Sequence, residues 1–201
     1  GDGFVAQLVP PVTASADPLG AAIVLVDTSG STAAILRRQA EAARAVVTAI
    51  AVRDPAAAVD VRAFDQAVEP VVAGPAGSID VERMVEAIVA RGGPGASDLG
   101  LALASARGDG RRLIVVSDGV ATVGERTAHG LAERARAIGA ARIDAVTIGG
   151  GQDRDLLAAL TEAGGRGGAI IDGDDAAGYA ALEQAMLGAV AVTVAGATDV
   201  W

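Results

Sequence analysis

Asp27, Ser29 and Ser31 close a short apolar run, Ile23-Val24-Leu25-Val26, and that placement gives their oxygens a chemistry. A fully apolar run of this length reads as a buried parallel strand. Side chains at the carboxyl end of such a strand lie where open α/β sheets bind their ligands. One carboxylate with the hydroxyls of Thr28, Ser29 and Ser31, and no His or Cys nearby, is a hard-oxygen set. It suits Mg²⁺, Mn²⁺ or Ca²⁺ better than zinc. Two more oxygen donors follow in order along the chain. Ser97 lies in the glycine-rich stretch Gly92-Gly93-Pro94-Gly95-Ala96-Ser97-Asp98, and Asp118 ends a second apolar run, Leu113-Ile114-Val115-Val116-Ser117.

The elements that must position these residues alternate. The first strand is followed by helical spacing of Ile35, Ala42, Val46, Val47 and Ile50, predicting a helix over 32–53 that Asp54-Pro55 ends. Residues 59–64 alternate as a half-exposed strand, and 67–73 follow so closely that the two should form a hairpin with the latter as an antiparallel edge. Ser78 to Glu82 offers a capping box for a helix to about Arg91. The glycine-rich stretch opens onto a short helix over 99–106. A strand from Arg112, a helix over 127–138, a strand over 142–148, a helix over 153–163 and a short strand over 169–171 follow. A last helix is expected over 176–188. This order predicts an α/β fold with a doubly wound, mostly parallel six-stranded sheet, one antiparallel edge strand and helices on both faces. In such a sheet the first and fourth strands are neighbours where the winding reverses, so Asp27 and Asp118 should lie side by side. Two carboxylates that close repel unless a cation lies between them. Serine hydroxyls and water would complete an octahedral shell, and an ion open to solvent can accept a carboxylate from another molecule.

Composition narrows the alternatives. The 201 residues are 51% hydrophobic but only 2% aromatic, so Ala, Val, Leu and Ile must build the core. They suffice for one good-sized domain over 20–188. Residues 1–19, with Pro10, Pro11 and Pro18, read as an extended lead-in with a short strand at Phe4–Val9. Residues 189–201 read as a strand and the start of a further segment, so the chain looks excised from a longer protein. A net charge of −9 argues against a nucleic-acid partner. No apolar run is long enough for a membrane span, and the first residues lack the features of a signal peptide. All 16 basic residues are Arg, which with abundant Ala and Gly suggests a GC-rich bacterial genome. The absence of Cys removes disulfides and thiolate chemistry and leaves the compartment open, a cell-surface place included. Arg37-Arg38 and Arg111-Arg112 read as solvated flanks. His129, the lone histidine, reads as a surface residue at a helix start. Gly149-Gly150-Gly151 reads as a tight turn, since a dinucleotide fingerprint is absent and no Lys exists for a Walker-type loop.

The sequence Asp27-Thr28-Ser29-Gly30-Ser31, Ser97 in its glycine-rich stretch and Ser117-Asp118-Gly119 together resemble the von Willebrand factor type A (VWA) domain and its metal-ion-dependent adhesion site (MIDAS). The likeness is greatest to bacterial VWA domains related to inter-alpha-trypsin inhibitor heavy chains. It implies a Rossmann-like VWA fold and a Mg²⁺ site (Mn²⁺ or Ca²⁺ being the other candidates) built by Asp27, Ser29, Ser31, Ser97 and Asp118, with the two serines as direct ligands. It also implies a binding rather than a catalytic role, in cell adhesion or protein binding, the partner being a protein that supplies an Asp or Glu carboxylate. Ser97 stands where the family usually has Thr, which keeps the oxygen and drops a methyl that fixes the rotamer. Thr32 stands where many relatives have Met, and Asp98 is an additional acid beside the site. Glu125-Arg126 are candidates for its rim. Two other readings remain open on the residues. A strand-terminal Asp near Mg²⁺ could serve a phosphatase-like hydrolase, although Ser29 occupies the position of its general acid. A Ser97–His129 hydrolase lacks the G-x-S-x-G elbow. The third reading is a metal-free scaffold whose polar groups cap helices and turns.

Overall fold

In a computed structural model the described residues are 17, 19–93, 95–106 and 110–184. The chain order is β1 (Ala22–Asp27), α1 (Leu36–Arg53), β2 (Ala58–Phe64), β3 (Val68–Pro75), α2 (Val81–Arg91), α3 (Leu99–Ser105), β4 (Arg112–Val116), α4 (Ala128–Ile138), β5 (Ile143–Thr147), α5 (Arg154–Glu162) and β6 (Ile170–Asp172). The strands form one six-stranded sheet in the order β3-β2-β1-β4-β5-β6. Every pairing is parallel except β2 with β3, the antiparallel edge expected from the tight connection between them.

Both faces of β1 are covered, which is why it carries no polar residue before Asp27. Ala22, Val24 and Val26 pack with Val46, Val47 and Ile50 of α1 and Met84, Val85 and Ile88 of α2. Ile23 and Leu25 point the other way, into a layer with Leu99 and Leu103 of α3, Leu131 of α4 and Leu156 and Leu160 of α5. At about 25 cal/mol per Å² of apolar surface, these two layers are the main stabilising term. No helix among the described residues is long and apolar enough to cross a membrane.

Several expectations shift. The helix expected from Thr32 begins as a 3₁₀ turn, Gly30–Ile35, because the Thr32 hydroxyl donates to the Ser29 carbonyl at 2.8 Å and tightens that turn. Asp80, not Ser78, caps α2 by accepting the Arg83 N–H at 3.0 Å, while Ser78 sits in a 3₁₀ turn of its own. The last helix is a 3₁₀ helix, Ala176–Glu183. Gly178 disfavours an α-helix there by about 1 kcal/mol, and guanidinium groups take the carbonyls of Ala181 and Leu182. Arg112 is not a solvated flank: it is 5% exposed and paired with Asp144 at 2.7 Å. The expected strands at Phe4–Val9 and Ala189–Val194, and the rest of the lead-in and tail beyond 17 and 184, lie outside the described residues.

Candidate metal centre

Register places the first carboxylate. Ala22–Val26 of β1 run opposite Arg112–Val116 of β4, so the next pair is Asp27 beside Ser117, with Asp118 one residue further out. Sequence reasoning had Asp118 as the immediate neighbour; it missed Ser117 as a member of the site. Asp27 is wholly buried. Its Oδ1 accepts the Ser29 N–H at 2.9 Å, and its Oδ2 accepts the Ser97 hydroxyl at 3.0 Å and the Ser117 hydroxyl at 2.9 Å. Ser117 Oγ in turn accepts the Gly119 N–H at 3.0 Å. Asp27 thus gathers groups from three separate stretches of chain.

The remaining oxygens are held from the backbone. Ser29 Oγ and Ser31 Oγ lie 3.1 Å apart. Ser29 is buried and Ser31 exposed, so the pair spans from the interior to solvent. Thr32 Oγ1 fixes their turn by donating to the carbonyls of Ser29 and, at 3.3 Å, Asp27. Asp118 Oδ1 accepts the Val120 N–H at 2.9 Å, and its carbonyl accepts the Asp153 N–H at 2.9 Å.

The glycine-rich stretch delivers Ser97. Gly30 N–H donates to the Gly95 carbonyl at 2.8 Å, which docks the loop on the turn after β1. Gly93 has φ +33°, and a Cβ there would lie 1.2 Å from the Thr28 carbonyl oxygen, so only glycine permits this approach. Ser97 N–H donates to Thr122 Oγ1 at 2.8 Å, and its carbonyl accepts the N–H groups of Thr122 and Val123, which ties the loop after β4 to it. Thr122 was also missed from sequence; a hydroxyl on a surface loop gives no signal of its own.

Electrostatics follow from this packing. Burial pushes the Asp27 carboxyl above the ordinary carboxylate range, the hydrogen bonds from Ser29 and Ser117 pull it down, and the charge of Asp118 adds to the rise. Removal of a carboxylate from water next to a second one is the situation that a bound cation relieves. Among the described residues no group of three or more His, Cys, Asp and Glu side chains gathers into a metal cage. The donor set is instead two carboxylates and hydroxyls, which fits a hard cation that keeps part of its water. Ser29 Oγ and Ser31 Oγ, hydrogen-bonded to each other at 3.1 Å, are close enough to serve one octahedral Mg²⁺, whose neighbouring ligands lie about 3 Å apart.

The other expected residues divide. Asp98 caps α3 by accepting the Leu101 N–H at 2.9 Å and lies against Gly124. The Glu125 carboxylate folds back on the N–H and hydroxyl of Thr127, which hold it below its usual range at the start of α4. His129 is exposed on that helix. Gly149 N–H donates to Asp174 Oδ2 at 3.1 Å, so the triple-glycine turn is tied to the segment after β6. Beside Asp118 a cleft of about 510 Å³ is lined by Val120 and residues 151–155.

Comparison with known proteins bears on the fold. No family model matches the sequence, and no curated relative matches it. Among solved structures, a von Willebrand factor type A protein from Catenulispora acidiphila matches at a TM-score of 0.60 and 23% identity, over 79% of this chain and 40% of that one. Proximal thread matrix protein 1 from the mussel byssus matches at 0.60 and 19%, over 85% of this chain and 48% of that one. A further structure of that mussel protein, described as having a zinc-occupied MIDAS motif, matches at 0.55 and 20%, over 76% and 44%. The chain spans less than half the length of each of these.

Proposed function

We propose that this chain, which has the von Willebrand factor type A fold, is a metal-dependent protein-binding module and not an enzyme. Ser29, Ser31 and Asp118 would hold a divalent cation, Mg²⁺ in the first instance with Mn²⁺ or Ca²⁺ as alternatives. Asp27 and Ser97 would complete and orient the set. The ion would supply a Lewis-acidic, solvent-facing position that takes an Asp or Glu carboxylate from a protein partner. Discrimination among partners would come from the surrounding loops, after Thr28, Gly92, Gly119 and Gly149.

The observation that carries this reading is the Asp27 carboxylate, wholly buried and drawing the hydroxyls of Ser97 and Ser117 toward one point beside Asp118. A scaffold needs no wholly buried carboxylate at a strand end, its pKa raised by that burial and a little further by a second acid. The zinc-occupied motif described for the mussel protein lends the reading support by analogy of fold. A phosphoryl-transfer reading has Ser29 at the second acid's place and no Lys in the whole sequence.

Titration calorimetry of the full chain with Mg²⁺ or Mn²⁺ tests the proposal. Wild type should bind, and Asp27→Ala should not. Absence of both heat and thermal shift in the wild type would favour the scaffold. Capture of a protein partner should then require the metal and cease on chelation.

A further inference from the structure

The pole of the sheet opposite Asp27 holds a second buried polar network, built at the starts of β4 and β5. Asp144 is wholly buried and shared between two arginines. Arg112 Nε donates to its Oδ2 at 2.7 Å, and Arg142 Nε donates to its Oδ1 at 2.9 Å. Neither guanidinium stops there. Arg112 Nη2 reaches the Leu182 carbonyl, and Arg142 Nη2 donates to the Ala181 carbonyl at 2.9 Å. Arg142 Nη1 donates both to the Gln184 carbonyl and, at 3.0 Å, to Oδ2 of Asp17. Arg166 pairs with the other Asp17 oxygen at 2.9 Å. Asp17 N–H donates to the Glu183 carbonyl at 2.9 Å, and Glu183 is itself paired with Arg53.

Asp17 lies shortly before β1, and 181–184 close the 3₁₀ segment that follows β6. We propose that Arg112 and Arg142, bridged by Asp144, form a clasp that locks the way into and the way out of the domain together as one unit. Their planar forks are what the geometry requires. Arg112 must satisfy one carboxylate and one carbonyl at once, and Arg142 two carboxylates and two carbonyls, which an ammonium on a flexible stem cannot do. The 3₁₀ segment 176–183 belongs to the same device, since the Ala181 and Leu182 carbonyls at its end are the ones the guanidinium groups take. Asp17 and residues 181–184 are thereby held together at one pole, away from the face that carries Asp27 and Asp118.

Amide hydrogen exchange on the full chain, run with chelator present, tests the clasp without reference to the metal. Arg112→Lys keeps a cation beside Asp144 and loses the reach to Leu182. Asp17→Asn keeps the shape and removes the charge facing Arg142. Each substitution is expected to speed exchange of both the Asp17 and the Gln184 amides about tenfold, while amides of β1 and β4 hold their protection. If each substitution loosens only its own end, the two ends are held independently and the clasp is refuted. Loss of protection in equal step across the whole domain would also refute it, by reducing both residues to contributors to global stability.

Discussion

Asp27 is under opposing demands, and a pH experiment separates them. Burial pushes its carboxyl above the ordinary range, the hydrogen bonds from Ser29 and Ser117 draw it back, and the charge of Asp118 adds a smaller rise, so in the metal-free protein Asp27 takes up its proton at a higher pH than an ordinary carboxylate. The stability this group contributes is therefore fully present below the ordinary carboxylate pKa and is lost as pH rises through its raised value. A bound cation favours the ionised form and offsets that loss. The thermal shift produced by Mg²⁺ should accordingly grow from mildly acidic to neutral pH in wild type. An equal shift at both would mean that Asp27 is ionised throughout and is not where proton and metal compete. Ser117 supplies a second expectation. Its hydroxyl donates to Asp27 Oδ2 and would touch no ion itself, so Ser117→Ala should fold and weaken Mg²⁺ binding roughly tenfold or more, the usual effect of removing a group that orients ligands. Calorimetry on the two proteins decides it; unchanged affinity would remove Ser117 from the site. Asp27 and Asp118 were legible because a lone carboxylate after an apolar run is conspicuous. Ser117 was not, because a serine that finishes a strand looks the same whether it donates to an acid or to water.

The loop 92–98 shows how an element positions a side chain with hardly any regular structure of its own. Its placement rests on the Gly95 carbonyl, which accepts from Gly30, and on Asp98 N–H, which donates to the Asp65 carbonyl at 2.9 Å. Arg91 anchors its start by pairing with Asp65 at 2.8 Å. Gly93→Ala would force a Cβ into the Thr28 carbonyl and must displace the loop. The expected outcome is loss of about 1–3 kcal/mol by urea unfolding, with Mg²⁺ affinity reduced more than tenfold because Ser97 moves with the loop. A variant that loses stability and keeps its affinity would show that Ser97 does not depend on this docking. Strand and helix order could be read from apolar periodicity, since β1 and β4 are buried on both faces and α1, α2 and α5 on one. What misled was end chemistry. Ser78 and Asp80 are both capable caps two residues apart, and only the turn at 76–78 decides between them. The stretch after β6 was expected as a helix to 188 and is 3₁₀ over 176–183, because the arginines that claim its carbonyls lie far off in sequence.

The molecule as a whole separates two polar constructions with one sheet. The antiparallel edge followed from the tight connection after β2, and the adjacency of β1 and β4 that builds the candidate metal site followed from the alternation of a doubly wound sheet. The opposite pole was illegible, because Asp17, Arg112, Asp144 and Leu182 share no local pattern and Arg112 stands in a pair that resembles any solvated turn. Removing Asp144 leaves two guanidinium groups buried without their shared charge, so Asp144→Ala should cost about 3–5 kcal/mol, a large part of the stability of a domain this size. Five residues of strand at about 3.3 Å each put the two poles roughly 17 Å apart, beyond the range at which substitutions usually couple. Mg²⁺ at a hundredfold excess over its dissociation constant adds about 2.7 kcal/mol to any protein that binds it only when folded. That increment should be the same in wild type and in Asp144→Ala when both are unfolded by urea with and without the ion. A smaller increment in the variant would show that closure between Asp17 and residues 181–184 reaches the candidate metal site, and the sheet would then be a lever between its poles and not a rigid spacer.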